Sequence, residues 1–164
     1  MEIRKAEGDK KRWLSLLLLA DEQEDMVDRY LDRGTMYLLT EGEAVRAQCV
    51  VTDEGDGVLE LKSLSVEPAF QGRGYGRRLI EFLAETYAGR YAVLQAGTGD
   101  SPATVPFYEK CGFVPSRRIR NFFTDHYDHP IWEGGVRLRD MLVLRRPLMG
   151  APGADAPSGP AGGR

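Results

Sequence analysis

Cysteines, an excess of positive charge and long apolar runs are all scarce in this chain, and each scarcity closes off a class of protein. Cys49 and Cys111 are the only cysteines among 164 residues. Two thiols in no metal spacing make neither a disulfide framework nor a metal site, so a reduced, cytoplasmic protein without a metal is expected. Lys and Arg number 22 against 25 Asp and Glu, a formal net charge of −3. The molecule as a whole therefore does not attract a polyanion, and nucleic acid is not an expected partner. The run Trp13 to Ala20 is far shorter than the roughly 20 residues that span a bilayer, so it reads as a buried helix and no membrane partner is expected. Internal repeats are absent, and no leader is expected ahead of the first strand.

Hydrophobic residues make up 42% of the chain, enough for the core of one domain. That domain is expected over residues 1–148. From Met149 onward "MGAPGADAPSGPAGGR" offers almost nothing to bury, which predicts a disordered tail over 149–164. Within the domain, Met1 to Ala6 reads as a strand, and Asp9 caps a helical stretch that runs to about Ala20. Met26, Val27, Tyr30 and Leu31 form one apolar stripe of a second helix that Gly34 ends. The period then changes. Met36 to Thr40, Val45 to Thr52 and Val58 to Val66 are strand-like runs separated by "EGE" and "DEGDG", the turn chemistry of an antiparallel meander. Leu79, Ile80, Phe82, Leu83 and Tyr87 mark a third helix, Tyr91 to Ala96 a strand, and Thr104 to Lys110 a short helix. Arg117 to Thr124 and Val136 to Arg145 read as extended. The class is α/β with a mixed sheet.

Between strand and helix lies "FQGRGYGRRL", with three glycines and three arginines in ten positions. An arginine-glycine arm for RNA is long and flanked by disorder, whereas this stretch is short and flanked by folded elements. A Gly-rich turn that opens a helix collects backbone N–H groups and the positive end of the helix dipole at one point, an arrangement that holds phosphate. Gly72, Gly74 and Gly76 let the backbone approach the anion, and Arg73, Arg77 and Arg78 surround it with charge. The nucleotide triphosphatase loop needs Gly-Lys-Ser or Gly-Lys-Thr, and the dinucleotide loop needs G-x-G-x-x-G. Neither occurs.

"LELKSLSVEPAFQGRGYGRRLIEFL" resembles motif A of the GNAT superfamily of acetyl-coenzyme A dependent N-acetyltransferases, with Gln71, Gly74 and Gly76 as its Gln-x-x-Gly-x-Gly. "PFYEKCGF", Pro106 to Phe113, resembles motif B, about 30 residues on and in the family's order. The pair is specific where either motif alone is not. The likeness extends over roughly residues 1–147. "RNFFTDHYDHPIWEGGVRLRDMLVL" is further similar to the YvbK-like subgroup of small bacterial members, with Gly134 and Gly135 where that subgroup carries Asn-Gly.

The resemblance implies a GNAT fold: a mixed, mostly antiparallel sheet of about seven strands, splayed between the fourth and fifth and flanked by about four helices. It implies acetyl-CoA as co-substrate, held by Leu64, Ser65 and Val66 along the pantetheine arm and by Gln71, Gly72, Arg73, Gly74, Tyr75, Gly76 and Arg77 at the phosphates. Asp100 stands where the family often has an asparagine near the cofactor arm, and Phe107 and Tyr108 lie on the motif B helix. Tyr108 matches the tyrosine that returns a proton to the coenzyme A thiolate. A lysine-like amine with pKa near 10.4 costs roughly 4.6 kcal/mol to deprotonate at pH 7, so the site needs a base. Glu60 stands where some members carry one, although Lys62, two residues on and on the same face, equally suits a structural ion pair. His126 and His129 have no third ligand nearby for a metal. Asp125 and Asp128, with Glu133, Tyr127 and Trp132, form an acidic, aromatic segment that suits a cationic amine or is a solvated hairpin. The expected function is N-acetylation of a small-molecule amine by direct attack. A protein amine, a non-catalytic acyl-CoA-binding module and a homodimer stay open.

Overall fold

The computed structural model describes residues 1–150. The tail expected from residue 149 lies outside the described residues from 151 onward. Strand β1 (Glu2–Lys5) leads into a 3₁₀ turn (Lys10–Trp13), where the Asp9 carboxylate accepts a hydrogen bond from the Lys11 N–H, and then into α1 (Leu14–Ala20). Helix α2 (Glu24–Asp28) precedes the meander β2 (Thr35–Glu41), β3 (Ala44–Gly55) and β4 (Val58–Val66). The glycine loop opens α3 (Tyr75–Thr86), followed by β5 (Val93–Gly99), α4 (Val105–Lys110), β6 (Val114–Ile119) and α5 (Phe122–His126). A small hairpin, β7 (Trp132–Glu133) and β8 (Val136–Arg137), precedes the last strand β9 (Met141–Pro147).

Seven strands form one sheet in the order β1-β2-β3-β4-β5-β9-β6, parallel only between β4 and β5. This is the mixed, splayed α/β sheet expected from the resemblance. The splay has a local cause. Val50 pairs with Ser63 while the next residue, Val51, pairs with Leu61, so Lys62 is an extra residue in β4, a bulge. A one-residue slip turns every later side chain over. Leu59 and Leu61 before the bulge, and Leu64 and Val66 after it, all face the core beneath α3. Ser63 and Ser65 face the other way, toward α1. Pairing of β4 with β5 runs from Val58–Val93 to Leu61–Ala96 and stops there. Beyond that point β4 holds only β3 and β5 holds only β9, so the sheet opens as a V.

Helices cover both faces. Leu79, Ile80 and Leu83 of α3 are fully buried against Leu94, Ala96 and Leu144. Leu17, Val27 and Leu31 pack with Met36, Leu38 and Val50 on the opposite face. The α1 side is also pinned by polar groups. The Gln48 amide donates to Ser63 (2.8 Å) and Ser65 (3.0 Å), and the Ser65 hydroxyl donates to the Leu16 carbonyl at 2.6 Å.

Three segments differ from the sequence reading. The second helix stops at Asp28, before Tyr30 and Leu31, because the chain turns there and the Lys10 ammonium binds the carbonyls of Leu31 (2.9 Å) and Gly34 (2.6 Å). The stretch expected to be extended to Thr124 instead enters α5. Asn121 takes a left-handed φ of 58°, its N–H donates to the Asp140 carboxylate at 2.8 Å, and Phe123 buries with Ile131 and Leu138. That same small cluster interrupts the expected strand from Val136 to Arg145, since Leu138 folds inward and its N–H donates to Ile131. Helical or extended periodicity cannot anticipate a satellite cluster made by residues from three separate segments.

Ser65→Ala removes a donor to Leu16 and an acceptor for Gln48, both in buried surroundings. Urea denaturation is expected to show a loss of about 1–3 kcal/mol through a lower midpoint at unchanged slope. An unchanged midpoint would mean that the serine does not hold α1 to the sheet.

Candidate active site

Two cavities open along the splayed strands, beyond the point where β4 leaves β5. The first is a groove under the start of α3. Leu64, Ser65 and Val66 form its floor, the loop Gln71, Gly72 and Gly74 its end, and Tyr75, Gly76, Arg77 and Phe107 its walls. Ten of the residues expected at the donor therefore share one groove. Gly74 sits at the helix N-cap in the left-handed region, φ 86°, where a side chain is strained. The first backbone hydrogen bond of α3 runs from the Arg78 N–H to the Gly74 carbonyl, so the earlier N–H groups have no partner within the helix. A Cβ on Gly76 would meet the Phe107 ring at 3.2 Å, so glycine lets α4 close against α3.

The loop is held by its own aromatic. Phe70 lies under the guanidinium groups of Arg46 (3.8 Å) and Arg73 (4.8 Å) and stacks with Tyr75. Tyr75 in turn donates to Glu41 at 2.7 Å, and Gln71 donates to the Val66 carbonyl at 3.1 Å. Arg73 thus packs on the loop and is not among the lining of the groove. Asp100 is also outside it, in an ion pair with Arg118 at 2.8 Å.

The second cavity lies on the far side of Leu64 and Leu19, which line both. Tyr108 is here and not in the donor groove. Its ring packs edge-on against Phe107 and Phe113, and burial pushes its hydroxyl pKa well up, keeping it protonated. Trp132 also lines this cavity. Asp125 and Asp128 do not. The Asp128 carboxylate lies 2.6 Å from Nδ1 of His129, whose Nε2 lies 2.9 Å from Glu22. His126 packs on Phe122, so the two histidines are used separately. Among the described residues no group of three or more His, Cys, Asp or Glu is arranged to hold a metal ion.

Three carboxylates missed or only partly seen from sequence line this cavity: Asp21, Glu22 and Glu133. Burial raises the pKa of Asp21, although a 2.7 Å hydrogen bond from the Tyr127 hydroxyl opposes the shift. Burial likewise raises the pKa of Glu133, opposed by the Ser101 hydroxyl at 3.3 Å. Glu133 is aimed inward by its hairpin, which turns through Gly134 (φ 58°) and Gly135 (φ 79°), both left-handed as a two-residue turn of this kind demands. The Gly-Gly pair was the one available signal for Glu133. Asp21 carried none, because its position depends on Tyr127, a hundred residues away in sequence.

Glu60 lines a basin that continues from this cavity and shares Asp21, Lys62 and Tyr127 with it. Both of its oxygens are engaged: Oε1 accepts from Gln95 at 2.8 Å, and Oε2 meets the Lys62 ammonium at 3.0 Å.

A glycine loop at a helix start, a groove along an unpaired strand edge and an acidic cavity that shares Leu64 and Leu19 with it lie side by side. Residues 32–115 match the acetyltransferase (GNAT) domain family. The N-acetyltransferase YvbK of Bacillus subtilis is 32% identical over 146 residues, 88% of this chain and 94% of its own. A GNAT family acetyltransferase of Elizabethkingia anophelis, solved with acetyl-CoA bound, superposes with a TM-score of 0.85 at 31% identity, covering 90% of this chain and 97% of that one. An IAA acetyltransferase of Bacillus cereus gives 0.82 at 32% identity, over 90% and 99%. The chain belongs to the GNAT family, and membership makes it an acetyl-CoA-dependent acetyltransferase.

Gly74→Glu adds a side chain where φ is positive and a negative charge where phosphate is to sit. Calorimetry is expected to show acetyl-CoA binding abolished while circular dichroism stays native. Undiminished binding would remove the loop from the donor site.

Proposed function

We propose that the protein acetylates the primary amine of a small molecule by direct attack on bound acetyl-CoA, within the cavity lined by Tyr108 and Glu133. The observation that carries this reading is the junction at Leu64 and Leu19, where the donor groove and the acidic cavity share walls. Acetyl-CoA supplies a thioester, whose carbonyl carbon is the electrophile and whose sulfur is the leaving group.

The chain's own groups would do the following. The unpaired edge of β4 from Ser63 to Val66 offers backbone N–H and C=O groups for the donor's arm and for polarising its carbonyl. Asp21 and Glu133 attract the incoming ammonium. Glu133 then takes its proton, since a carboxylate with a raised pKa is a stronger base than an ordinary one. Glu60 is the less suited base because Lys62 and Gln95 already occupy its oxygens. Tyr108, kept protonated by burial, gives its hydroxyl proton to the departing thiolate and is restored by the second proton that the attacking nitrogen sheds as the amide forms.

A small acceptor is favoured over a protein amine because the cavity is roofed. The segment from α5 through β7 is tied to the end of α1 by Tyr127–Asp21, by His129–Glu22, and by the Asp128 N–H donating to Gln23 at 3.1 Å. Buried, reduced Cys49 and Cys111 suit a cytoplasmic location.

Tyr108→Phe keeps the ring and removes the proton. Thiol release from acetyl-CoA with an amine panel is expected to show kcat down roughly 10- to 1,000-fold with little change in KM for acetyl-CoA. Activity equal to the parent would reduce Tyr108 to packing. Glu133 works as a base only when ionised, and its pKa is raised, so kcat/KM should climb with pH through a midpoint above the ordinary carboxylate range. Glu133→Gln should be slower and lack that acid limb. A Gln variant with the same limb would exclude Glu133 as the base.

A further inference from the structure

The basin beside the acidic cavity has the opposite charge character. Its lining includes Arg29, Arg33, Lys62 and Arg117 against the carboxylates of Asp21 and Glu60. Two of these cations are already neutralised: Lys62 by Glu60 at 3.0 Å, and Arg33 by Glu54 at 2.9 Å. Glu60 is further committed to Gln95, which itself accepts from Arg145 at 2.9 Å. Arg29 and Arg117 form no ion pair among the described residues. The Arg29 guanidinium makes one contact, to the Met26 sulfur at 3.3 Å. They come from separate elements, Arg29 from the turn after α2 and Arg117 from β6. The basin and the acidic cavity are continuous through Asp21, Leu61, Lys62, Gly97, Tyr127 and Met141. The cleft is therefore bipolar, with carboxylates at the thioester end and unpaired guanidinium groups at the other.

From this juxtaposition we infer that the acceptor is an amine that also carries an anionic group, a carboxylate or a phosphate, held by Arg29 and Arg117 while its amine lies between Asp21 and Glu133. The inference rests on the reading of this cleft as the acceptor site. A monoamine without the anion leaves both guanidinium groups unanswered, and a diamine brings a second cation up to them. An amino acid-like or amino phosphate-like molecule satisfies both ends. Guanidinium forks bind either oxyanion through paired hydrogen bonds. Tyr30 lines the same basin, and its hydroxyl is buried without a hydrogen-bond partner of good geometry.

The test is kcat/KM, from thiol release with acetyl-CoA, for three matched series of increasing chain length: ω-amino carboxylates, ω-aminoalkyl phosphonates and plain alkylamines, with diamines as the opposite control. The parent is expected to prefer an anionic series at its best length by about tenfold or more over the matched alkylamine, on the scale of a charge-assisted hydrogen bond. The preference should appear mainly in KM and shrink with added salt. Whether carboxylate or phosphonate leads identifies the anion. Arg29 and Arg117 are both exposed, so their replacement should leave the fold intact. Arg117→Glu and Arg29→Glu are each expected to turn the preference toward diamines, and Arg117→Lys to keep part of the parent's. Equal kcat/KM for anionic and plain amines in the parent, or an anionic preference that survives both charge reversals, would overturn the inference while leaving amine acetylation standing. No turnover with any series, with acetyl-CoA still bound by calorimetry, would overturn amine acetylation and this inference together.

Discussion

Everything about this site depends on where two parallel strands stop holding each other. From Val58 to Leu61 the edge of β4 pairs with β5, and one residue later the Lys62 bulge turns β4 away. A strand edge that is neither paired nor covered is a liability in most sheets, because its N–H and C=O groups invite another strand. Here the open edge suits the proposed donor site, where an extended arm can be received as a surrogate strand. The bulge also sets which side chains face which cavity. It keeps Leu64 and Val66 over the core and turns Ser63 and Ser65 toward α1, where Gln48 and Leu16 satisfy them.

The opening has to be held at a fixed width, and the two arms are braced separately. On the β4 arm the Gln48–Ser63–Ser65–Leu16 chain fastens α1. On the β5 arm, Gly97 and Gly99 let Met141 and Leu138 lie against the strand, since a Cβ at either position would come within 2.6 Å of them. The segment from α5 to β7 then crosses the cleft and is tied to the end of α1 by hydrogen bonds to Asp21, Glu22 and Gln23. His129 of this strap lies between two carboxylates, Asp128 and then Glu22, which raise its pKa. The segment lines the cavity with Phe123, Tyr127, Ile131, Trp132 and Glu133, while Asp128 and His129 serve the ties to α1.

The donor side of the site was legible because its chemistry is local. Consecutive backbone N–H groups at a helix start read locally as a phosphate cradle, so the glycine loop points to one, and the resemblance to motif A adds Leu64 to Val66. Arg73 shows the limit of that reading. Its charge was visible, but its position over the Phe70 ring depends on a neighbour's side chain. The acceptor side was poorly legible for the opposite reason. Asp21 lies after an apolar helix, Glu133 in a hairpin and Arg117 on β6, and no spacing in the chain relates them.

The sequence by itself determined the succession of elements from β1 to α4, the glycine loop at the start of α3, and, through the two motifs with the motif B tyrosine, the family. Those follow from periodicity and short-range backbone geometry, which a chain carries wherever it folds. Tertiary structure alone decided that Lys62 is a bulge, that Glu60 is bound up with Lys62 and Gln95, and that Tyr108 lines the cavity of Asp21 and Glu133. It also decided that Arg29 and Arg117 form no ion pair among the described residues. Ion pairing and burial are properties of which groups meet, and groups far apart in the chain meet only once the sheet has set the distance between them.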